Sequence, residues 1–215
     1  MGDFDRITGA GETLGEIAAD IRGARGVRLV ALTGRAGAGK STAAAGLVFR
    51  HRFTRARFAG PLKAMARALF ASAGFIPADV EDMIEGARKE TPVDALGGLT
   101  PRRVMQTLGT EWGRDTLAPD FWVDLWRAGA VSALEAGNRL VVEDCRFENE
   151  AAAVRTLGGV VVEITRPDLA PLAAGHASER GVVADVSIPN DGPRARLDAR
   201  LSECLDDLAR PHGHA

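Results

Sequence analysis

The chain has few lysines, few cysteines and no long apolar run. Only 3 of its 27 basic residues are lysines, and its 2 cysteines, Cys145 and Cys204, form no motif with the 4 histidines. This cysteine usage favours a reducing cytoplasm. No apolar segment approaches the roughly 20 residues of a membrane-spanning helix, and the N-terminal residues lack signal-peptide character. We therefore expect a cytoplasmic protein without a membrane partner.

The composition argues against recognition of a partner through the overall charge of the protein. With 215 residues, 46% of them hydrophobic, the chain can form one large domain or a core domain with a small insert. Its net charge of −2 provides no basic field for a nucleic-acid partner. The predominance of arginine over lysine suits bidentate phosphate recognition, although a GC-rich genome explains it equally well.

Short apolar segments alternate with helical patterns along the chain. Strands are predicted near 27–33, 55–58, 139–145, 160–167 and 184–188. Helices are predicted from residue 40 and over 11–24, 61–74, 100–117, 121–137, 148–159 and 194–210. This alternation predicts a three-layer α/β fold of the P-loop NTPase type, with about five parallel strands and helices on both faces.

The segment GRAGAGKS, residues 34–41, lies between the first strand and the first of these sheet helices. Glycines in this pattern let several backbone N–H groups face one anion, and the helix N-terminus adds its dipole. We expect Lys40 to reach the β- and γ-phosphates and Ser41 to bind Mg²⁺. The residues expected to bind ATP are Gly34, Ala36, Gly37, Ala38, Gly39, Lys40, Ser41, Thr42 and Asn190, the last because it follows the final strand.

A second acidic motif follows the strand RLVV. Glu143 and Asp144 would lie at the carboxyl end of this strand, where a ligand of the metal or its water shell is needed. Asp144 is the first candidate and Glu143 the second; the alternative is an acidic pair that merely ends a strand in solvent. Arg146 could face phosphate across the same edge, or could pair with Glu148 or Glu150.

The motifs FAGPLKAMARAL, TPRRVMQTLGTEWGRD, VVEDCRFENEA and HASE resemble those of bacteriophage-type deoxynucleoside monophosphate kinases. The resemblance extends from about residue 28 to residue 192. It implies phosphorylation of deoxynucleoside monophosphates to diphosphates that depends on ATP and Mg²⁺, in a host cytoplasm if the chain is phage-encoded. Gly60 departs from an aspartate that is frequent in the family, so no carboxylate role is assigned there.

Such an enzyme needs an acceptor site and a lid. We predict a single kinase domain over 1–215 that includes an acceptor-binding insert at about 61–118 and a lid at about 166–183. The predicted acceptor-binding residues are Lys63, Arg67, Gln106, Thr110, Arg114 and Arg146. The predicted lid residues are His176, Ser178, Glu179 and Arg180. Lys40, Arg146 and Arg180 are the candidate catalytic groups, because they can neutralise charge on the transferred phosphoryl group.

Two apolar patterns predict which helix faces are buried. In the helix after FAG, Leu62, Met65 and Leu69 form the expected buried stripe. Trp112 is expected in the core, as are the helix-face residues Phe121, Trp122, Leu125 and Trp126.

Two other functions fit the glycine loop. A related small-molecule kinase, such as a phosphomevalonate-type kinase, could share the same loop and lid. A P-loop ATPase or switch module would instead act on a partner. The kinase is the favoured interpretation, with ATP and a deoxynucleoside monophosphate as ligands and a monomeric or homodimeric chain.

Overall fold

The structure is a computed structural model that describes residues 26–169 and 182–210. Its centre is a five-stranded parallel sheet with strand order β2-β3-β1-β4-β5. The strands are β1 (Leu29–Thr33), β2 (Phe53–Arg55), β3 (Arg139–Val142), β4 (Val160–Thr165) and β5 (Val186–Pro189). The predicted parallel α/β fold is confirmed.

Seven α-helices accompany the sheet. They are α1 (Lys40–His51), α2 (Gly60–Ser72), α3 (Pro77–Glu85), α4 (Pro101–Thr107), α5 (Phe121–Glu135), α6 (Glu148–Thr156) and α7 (Arg194–Ala209). Short 3-10 turns occupy Ala87–Glu90 and Asp94–Leu96, and a π-helix spans Leu108–Leu117. Within the described ranges, none of the helices combines the length and apolar character needed to cross a bilayer.

The chain divides into two compact units, one of Met1–Arg57 with Arg127–Ala215 and the other of Phe58–Trp126. The first unit contains the sheet. On one face of it, Leu47 of α1 and Leu201 of α7 pack in a core with Val30 and Leu32. Helix α6 packs against β1 and β4. The strands are nearly continuous apolar runs because a parallel sheet is covered on both faces.

The second unit has its own small core. Phe70 of α2 is fully buried and packs with Met83 and Ile84 of α3 and with Val93. The predicted acceptor insert, 61–118, falls within this unit. Thr100 followed by Pro101 is a sequence that predicts a helix N-cap and first helical residue. The Thr100 side chain does cap α4, since it accepts a hydrogen bond from the Arg103 N–H at 3.2 Å.

The buried face of α2 differs from the predicted stripe. Met65 and Leu69 are 37% and 45% exposed, whereas Ala66 and Phe70 are buried. The helix buries the row that continues from the half-buried Leu62 in steps of four residues. The sequence offers two apolar rows on this helix, and the small Ala66 leaves room for a neighbour to pack closely while Phe70 fills the core.

Three further expectations require correction. The second strand lies at Phe53–Arg55 rather than 55–58. Trp112 and Leu125, expected in the core, are 37% and 44% exposed, although Trp122 and Trp126 are buried. The position of Leu125 follows from helix geometry: the two buried tryptophans are four residues apart on α5, and Leu125 lies off the row that joins them.

The segment 100–117 does not form one regular α-helix. It is α-helical to Thr107 and then continues as a π-helix from Leu108 to Leu117. Gln106, Thr110 and Arg114 are spaced four residues apart, and this spacing predicts one shared face of an α-helix. Because hydrogen bonds in a π-helix join residues five apart, that alignment does not persist through the segment.

We predict that Phe70→Ala lowers the free energy of unfolding by about 3–5 kcal/mol, because it leaves a cavity in the core of the second unit. Phe49→Ala is the matched control, since the Phe49 side chain is 84% exposed. Its effect should remain within about 0.5 kcal/mol. Urea unfolding of both variants measures the difference, and equal destabilisation would contradict the described core.

Candidate active site

The glycine loop joins β1 to α1 through a backbone that other residues would strain. Gly34, Gly37 and Gly39 have φ angles of 123°, 79° and 104°. A Cβ at Gly34 would clash with the backbone carbonyl of Ile164, and one at Gly39 would clash with the side-chain amide of Asn190. The glycines therefore meet two requirements, left-handed backbone and close approach of neighbouring groups.

Lys40 begins α1 and lies across this loop. Its ammonium group donates to the carbonyls of Gly34 at 2.6 Å and Arg35 at 2.8 Å. Burial lowers the pKa of Lys40, the charge of Arg146 lowers it further, and the charge of Glu143 raises it. Both residues that follow β3 therefore lie within electrostatic reach of the loop lysine.

Asn190 follows β5 and contacts the loop itself. Its side-chain amide donates to the Ala38 carbonyl at 2.8 Å, and its backbone N–H donates to the Thr165 carbonyl at 2.7 Å. The ATP-binding role predicted for Asn190 is thus accompanied by a structural one, because the residue ties the last turn of the loop to the sheet. Ala36, Gly37, Ser41 and Thr42 are accessible or half-buried along the same segment.

The two carboxylates after β3 have different surroundings. Glu143 is buried, with 5% of its surface exposed, and it accepts hydrogen bonds from Arg57. Arg55 also pairs with it, at 3.3 Å. The second carboxylate oxygen of Glu143 is buried and has no hydrogen-bond partner among the described residues. Asp144 is half-buried. Glu143 thus interacts with arginines, while Asp144 is the more accessible candidate for a metal site.

Arg146 is positioned by the start of α6. Its backbone N–H donates to Glu150 at 2.7 Å, and the Phe147 N–H donates to the same oxygen at 3.2 Å. Glu150 is buried and satisfies donors at the helix N-terminus. The side chain of Arg146 is exposed and makes no ion pair among residues 26–169 and 182–210. The predicted alternative of a side-chain pair with Glu148 or Glu150 is therefore not observed.

In the second unit, the predicted acceptor residues of α2 are paired with acids of α3. The Lys63 ammonium donates to both oxygens of Glu85, at 2.7 and 2.9 Å. Arg67 binds Glu81 through two hydrogen bonds, at 2.5 and 3.0 Å. These pairs brace α2 against α3, and an anionic ligand at either cation would compete with a carboxylate already in place.

The remaining predicted acceptor residues lie along α4 and the π-helix. Gln106 and Thr110 are exposed, and Arg114 is half-buried. The Trp122 indole N–H donates to the Gly109 carbonyl at 2.8 Å, and Gly113 lies directly against that indole. π-Helical turns occur frequently at functional sites, so this irregular segment supports a binding role for the polar residues it carries.

Sequence analysis did not identify Arg55 and Arg57 as site residues. Their signal is the pattern RAR, residues 55–57, in which alternate positions of an extended segment point to the same side. The predicted lid residues His176, Ser178, Glu179 and Arg180 lie outside the described residues.

The oxygen groups beside the loop are compatible with Mg²⁺. Among residues 26–169 and 182–210 there is no cluster of three or more His, Cys, Asp or Glu side chains suited to a metal ion. Mg²⁺ in phosphoryl-transfer sites is commonly held by one or two protein oxygens together with phosphates and water. The Ser41 hydroxyl, the Asp144 carboxylate and the unpartnered Glu143 oxygen supply that chemistry.

Comparisons with known proteins identify the family of this chain. The model of a family described as deoxynucleotide monophosphate kinase matches residues 87–201. A protein of Acanthamoeba polyphaga mimivirus, named "Putative deoxynucleotide monophosphate kinase", is 31% identical over 198 residues, covering 85% of this chain and 98% of the relative. The deoxynucleotide monophosphate kinase of Enterobacteria phage T4 is 29% identical over 111 residues, or 50% of this chain and 46% of that enzyme. The resemblance inferred from the sequence is confirmed: this chain belongs to the deoxynucleotide monophosphate kinase family of phosphotransferases.

Proposed function

We propose that the protein transfers the γ-phosphoryl group of ATP to the 5′-phosphate of a deoxynucleoside monophosphate, yielding the diphosphate and ADP. The observation that carries this proposal is the glycine loop that ends at Lys40 on the N-terminus of α1. Family membership selects nucleotide phosphorylation among the reactions that such a loop supports.

The loop binds the donor phosphates in this mechanism. Its backbone N–H groups and the positive end of the α1 dipole favour the anion. When ATP binds, the Lys40 ammonium exchanges the carbonyls of Gly34 and Arg35 for phosphate oxygens. Burial and the charge of Arg146 lower the pKa of Lys40, and the negative charge of a bound phosphate would raise it again.

The acceptor phosphate is the nucleophile. One of its oxygens forms a bond to the γ-phosphorus, the bond from that phosphorus to the β,γ-bridging oxygen breaks, and ADP leaves with the electron pair. A general base is not required, because a phosphate monoester is largely ionised at neutral pH. Positioning and charge neutralisation therefore dominate. Lys40 and Arg146 contribute that charge, and Arg180 is proposed to contribute from the lid.

Ser41 and Asp144 are the proposed protein groups for Mg²⁺, which when bound would offset negative charge on the donor phosphates. Asp144 is favoured over Glu143 because Glu143 already pairs with two arginines, and a metal would have to compete with them.

The second unit is proposed to select the acceptor. Gln106 has both a donor and an acceptor for a base edge, Thr110 offers a hydroxyl, and Arg114 can bind phosphate bidentately. Lys63 and Arg67 remain proposed acceptor-binding residues. To bind an anionic acceptor, Lys63 must release Glu85 and Arg67 must release Glu81. We further propose that the enzyme acts in the host cytoplasm as a monomer or homodimer, without a nucleic-acid partner.

The reaction is tested by measuring ADP release from Mg·ATP with and without a mixture of deoxynucleoside monophosphates. A kinase shows strong dependence on the acceptor, and the labelled γ-phosphate appears in deoxynucleoside diphosphate. ADP release that is independent of the acceptor would identify an ATPase or switch module instead. Testing each monophosphate separately then identifies the accepted bases.

We predict that Lys40→Ala reduces turnover roughly 10²–10³-fold or more at saturating ATP, because it removes a preorganised charge from the phosphate site. The fold should persist, since Lys40 is not part of the apolar core. Lys89→Ala is the matched control, because it removes the same charge from the 3-10 turn Ala87–Glu90. Steady-state kinetics provide the comparison, and near-wild-type turnover of Lys40→Ala would exclude the phosphate-loop assignment.

Asp144→Asn should weaken Mg²⁺ dependence and turnover more than Glu143→Gln does. Each substitution removes one negative charge while retaining the shape of the side chain, so each variant serves as the control for the other. The difference is expected because Asp144 is the more accessible of the two carboxylates. Titration of Mg²⁺ at fixed ATP measures it. A larger effect of Glu143→Gln would show that Glu143, and not Asp144, is the carboxylate on which Mg²⁺ dependence rests.

Arg114→Ala should raise the acceptor KM or lower kcat for every base, whereas Gln106→Ala should change the ranking of bases. Loss of one charge-assisted hydrogen bond costs roughly 1.5–3 kcal/mol, or about ten- to a hundredfold. The measurement is steady-state kinetics across several deoxynucleoside monophosphates, with ATP varied separately. If both variants raise only the ATP KM, this segment lines the donor site.

A further inference from the structure

The turn after β5 holds one peptide of the phosphate loop. The Asn190 side-chain amide donates to the Ala38 carbonyl at 2.8 Å, and the Asn190 backbone N–H donates to the Thr165 carbonyl at 2.7 Å. Parallel pairing places Pro189 opposite Thr165 at the ends of β5 and β4. The backbone of Asn190 is therefore fixed to the sheet while its side chain reaches the loop.

The bond to Ala38 sets the direction of the next N–H group. Because the peptide between Ala38 and Gly39 is planar and trans, its C=O and N–H point in opposite directions. The carbonyl points to Asn190, so the Gly39 N–H points away from it. This N–H donates to no group among residues 26–169 and 182–210. It is one of the loop donors that an anion can use.

The glycine at position 39 makes this peptide easy to reorient. Gly39 has a φ angle of 104°, and glycine adopts positive and negative φ about equally readily. Rotation of the peptide would exchange the directions of the Ala38 carbonyl and the Gly39 N–H. A Cβ at Gly39 would lie 2.4 Å from the Asn190 amide nitrogen. The glycine that permits the rotation thus also admits the side chain that opposes it.

Arg200 of α7 holds the turn that carries Asn190. Its guanidinium donates to the Pro189 carbonyl and to both oxygens of Asp191, the latter at 2.7 and 3.3 Å. Arg196, one turn earlier on the helix, lies 3.5 Å from the same carboxylate. The residues on both sides of Asn190 are therefore bound to α7.

The position of Arg200 follows from the packing of α7. Leu197 and Leu201 lie one turn apart on this helix and are buried in the core of the sheet. Arg196 and Arg200 each precede one of these leucines, so burial of the leucines fixes where the arginines leave the helix. Arg200 is 29% exposed and Arg196 is 56% exposed. The more buried arginine is the one that binds both sides of the turn.

We propose that Asn190 and Arg200 are positioning residues of the donor site, which hold the peptide between Ala38 and Gly39 so that the Gly39 N–H faces the phosphates of ATP. This inference rests on the proposed function, in which the loop binds the donor. Asn190 acts through the loop and Arg200 acts through Asn190, so both affect the triphosphate rather than the adenine or the acceptor.

The test compares Asn190→Ala and Arg200→Gln with Arg210→Gln. Arg210 is the matched control, because it pairs with Asp207 at the other end of α7, at 3.3 Å, and is 77% exposed. Asn190→Ala should raise the ATP KM about ten- to a hundredfold, the cost of one hydrogen bond to a charged group. Arg200→Gln should raise it about two- to tenfold, the cost of an ordinary hydrogen bond. The acceptor KM of both variants should stay within about twofold of the wild type, as should both KM values of Arg210→Gln.

Inorganic tripolyphosphate separates the phosphate loop from the adenine site. It carries the charges of the donor phosphates without a base, so its affinity reports on the loop. Its competition with labelled ATP is measured by equilibrium dialysis with Mg²⁺ and without an acceptor. Asn190→Ala and Arg200→Gln should weaken tripolyphosphate binding by the same factor as ATP binding.

Arg200→Lys supplies a conservative variant. It keeps the charge but not the fork that engages Pro189 and Asp191 together, so it should show a smaller loss than Arg200→Gln. The same dialysis measures it, which keeps the inference testable if another variant fails to fold.

The outcomes separate this inference from the proposed function. If the wild type binds ATP but transfers phosphate to no deoxynucleoside monophosphate, the proposed function is wrong, and the dialysis still tests the inference. Unchanged tripolyphosphate affinity in Asn190→Ala and Arg200→Gln would overturn the inference, because any weaker ATP binding would then concern the base. An equal rise in the acceptor KM and the ATP KM would also overturn it, because the variants would then disturb the whole site.

Discussion

The site depends on a tight backbone constraint where β1 meets α1. The chain must leave a fully buried strand, turn through three glycines with positive φ and enter a helix within six residues, 34–39. Ile164 closes on Gly34 and Asn190 on Gly39, so the loop is confined on both sides by β4 and by the residue after β5. Because these neighbours come from separate strands, the loop is confined in this way only when the parallel sheet is assembled. The phosphate-binding geometry is consequently a property of the assembled sheet and not of the glycine motif alone.

The same sheet edge gathers the charges that phosphoryl transfer uses. Lys40 comes from the end of the loop, and Arg55 and Arg57 come from the end of β2 and the residues after it. Glu143, Asp144 and Arg146 come from the segment after β3. Parallel strands bring these groups together because their carboxyl ends share one edge. The buried carboxylate of Glu143 pairs with Arg55 and Arg57 at this edge. Arginine suits this arrangement better than lysine, since its planar fork can bind a carboxylate and still present further N–H groups.

Local sequence was sufficient for the elements whose signal is contained in one segment. The glycine pattern predicted the loop between β1 and α1, and Thr100 predicted the start of α4. The alternation of apolar segments with helical patterns predicted the parallel sheet. The convergence of Arg55 and Arg57 on Glu143 could not be predicted, because it depends on the pairing of β2 with β3. The prediction of the buried face of α2 was wrong, because the helix has two apolar rows and tertiary packing buries the row with Ala66 and Phe70. The π-helix was not predicted, because a shift in backbone hydrogen bonding leaves the sequence pattern unchanged. The bounds of the predicted domain, insert and lid, and the roles of the acceptor residues, stay predictions.

The central claim of the proposed function is that donor and acceptor phosphates bind side by side near Lys40. The most direct measurement uses a bisubstrate analogue in which adenosine and a deoxynucleoside are joined through their 5′-oxygens by a chain of five phosphates. The account predicts that it binds more tightly than either nucleotide alone and inhibits competitively against both ATP and the deoxynucleoside monophosphate. Competition with only one substrate, or affinity no greater than that of ATP, would contradict adjacent phosphate sites.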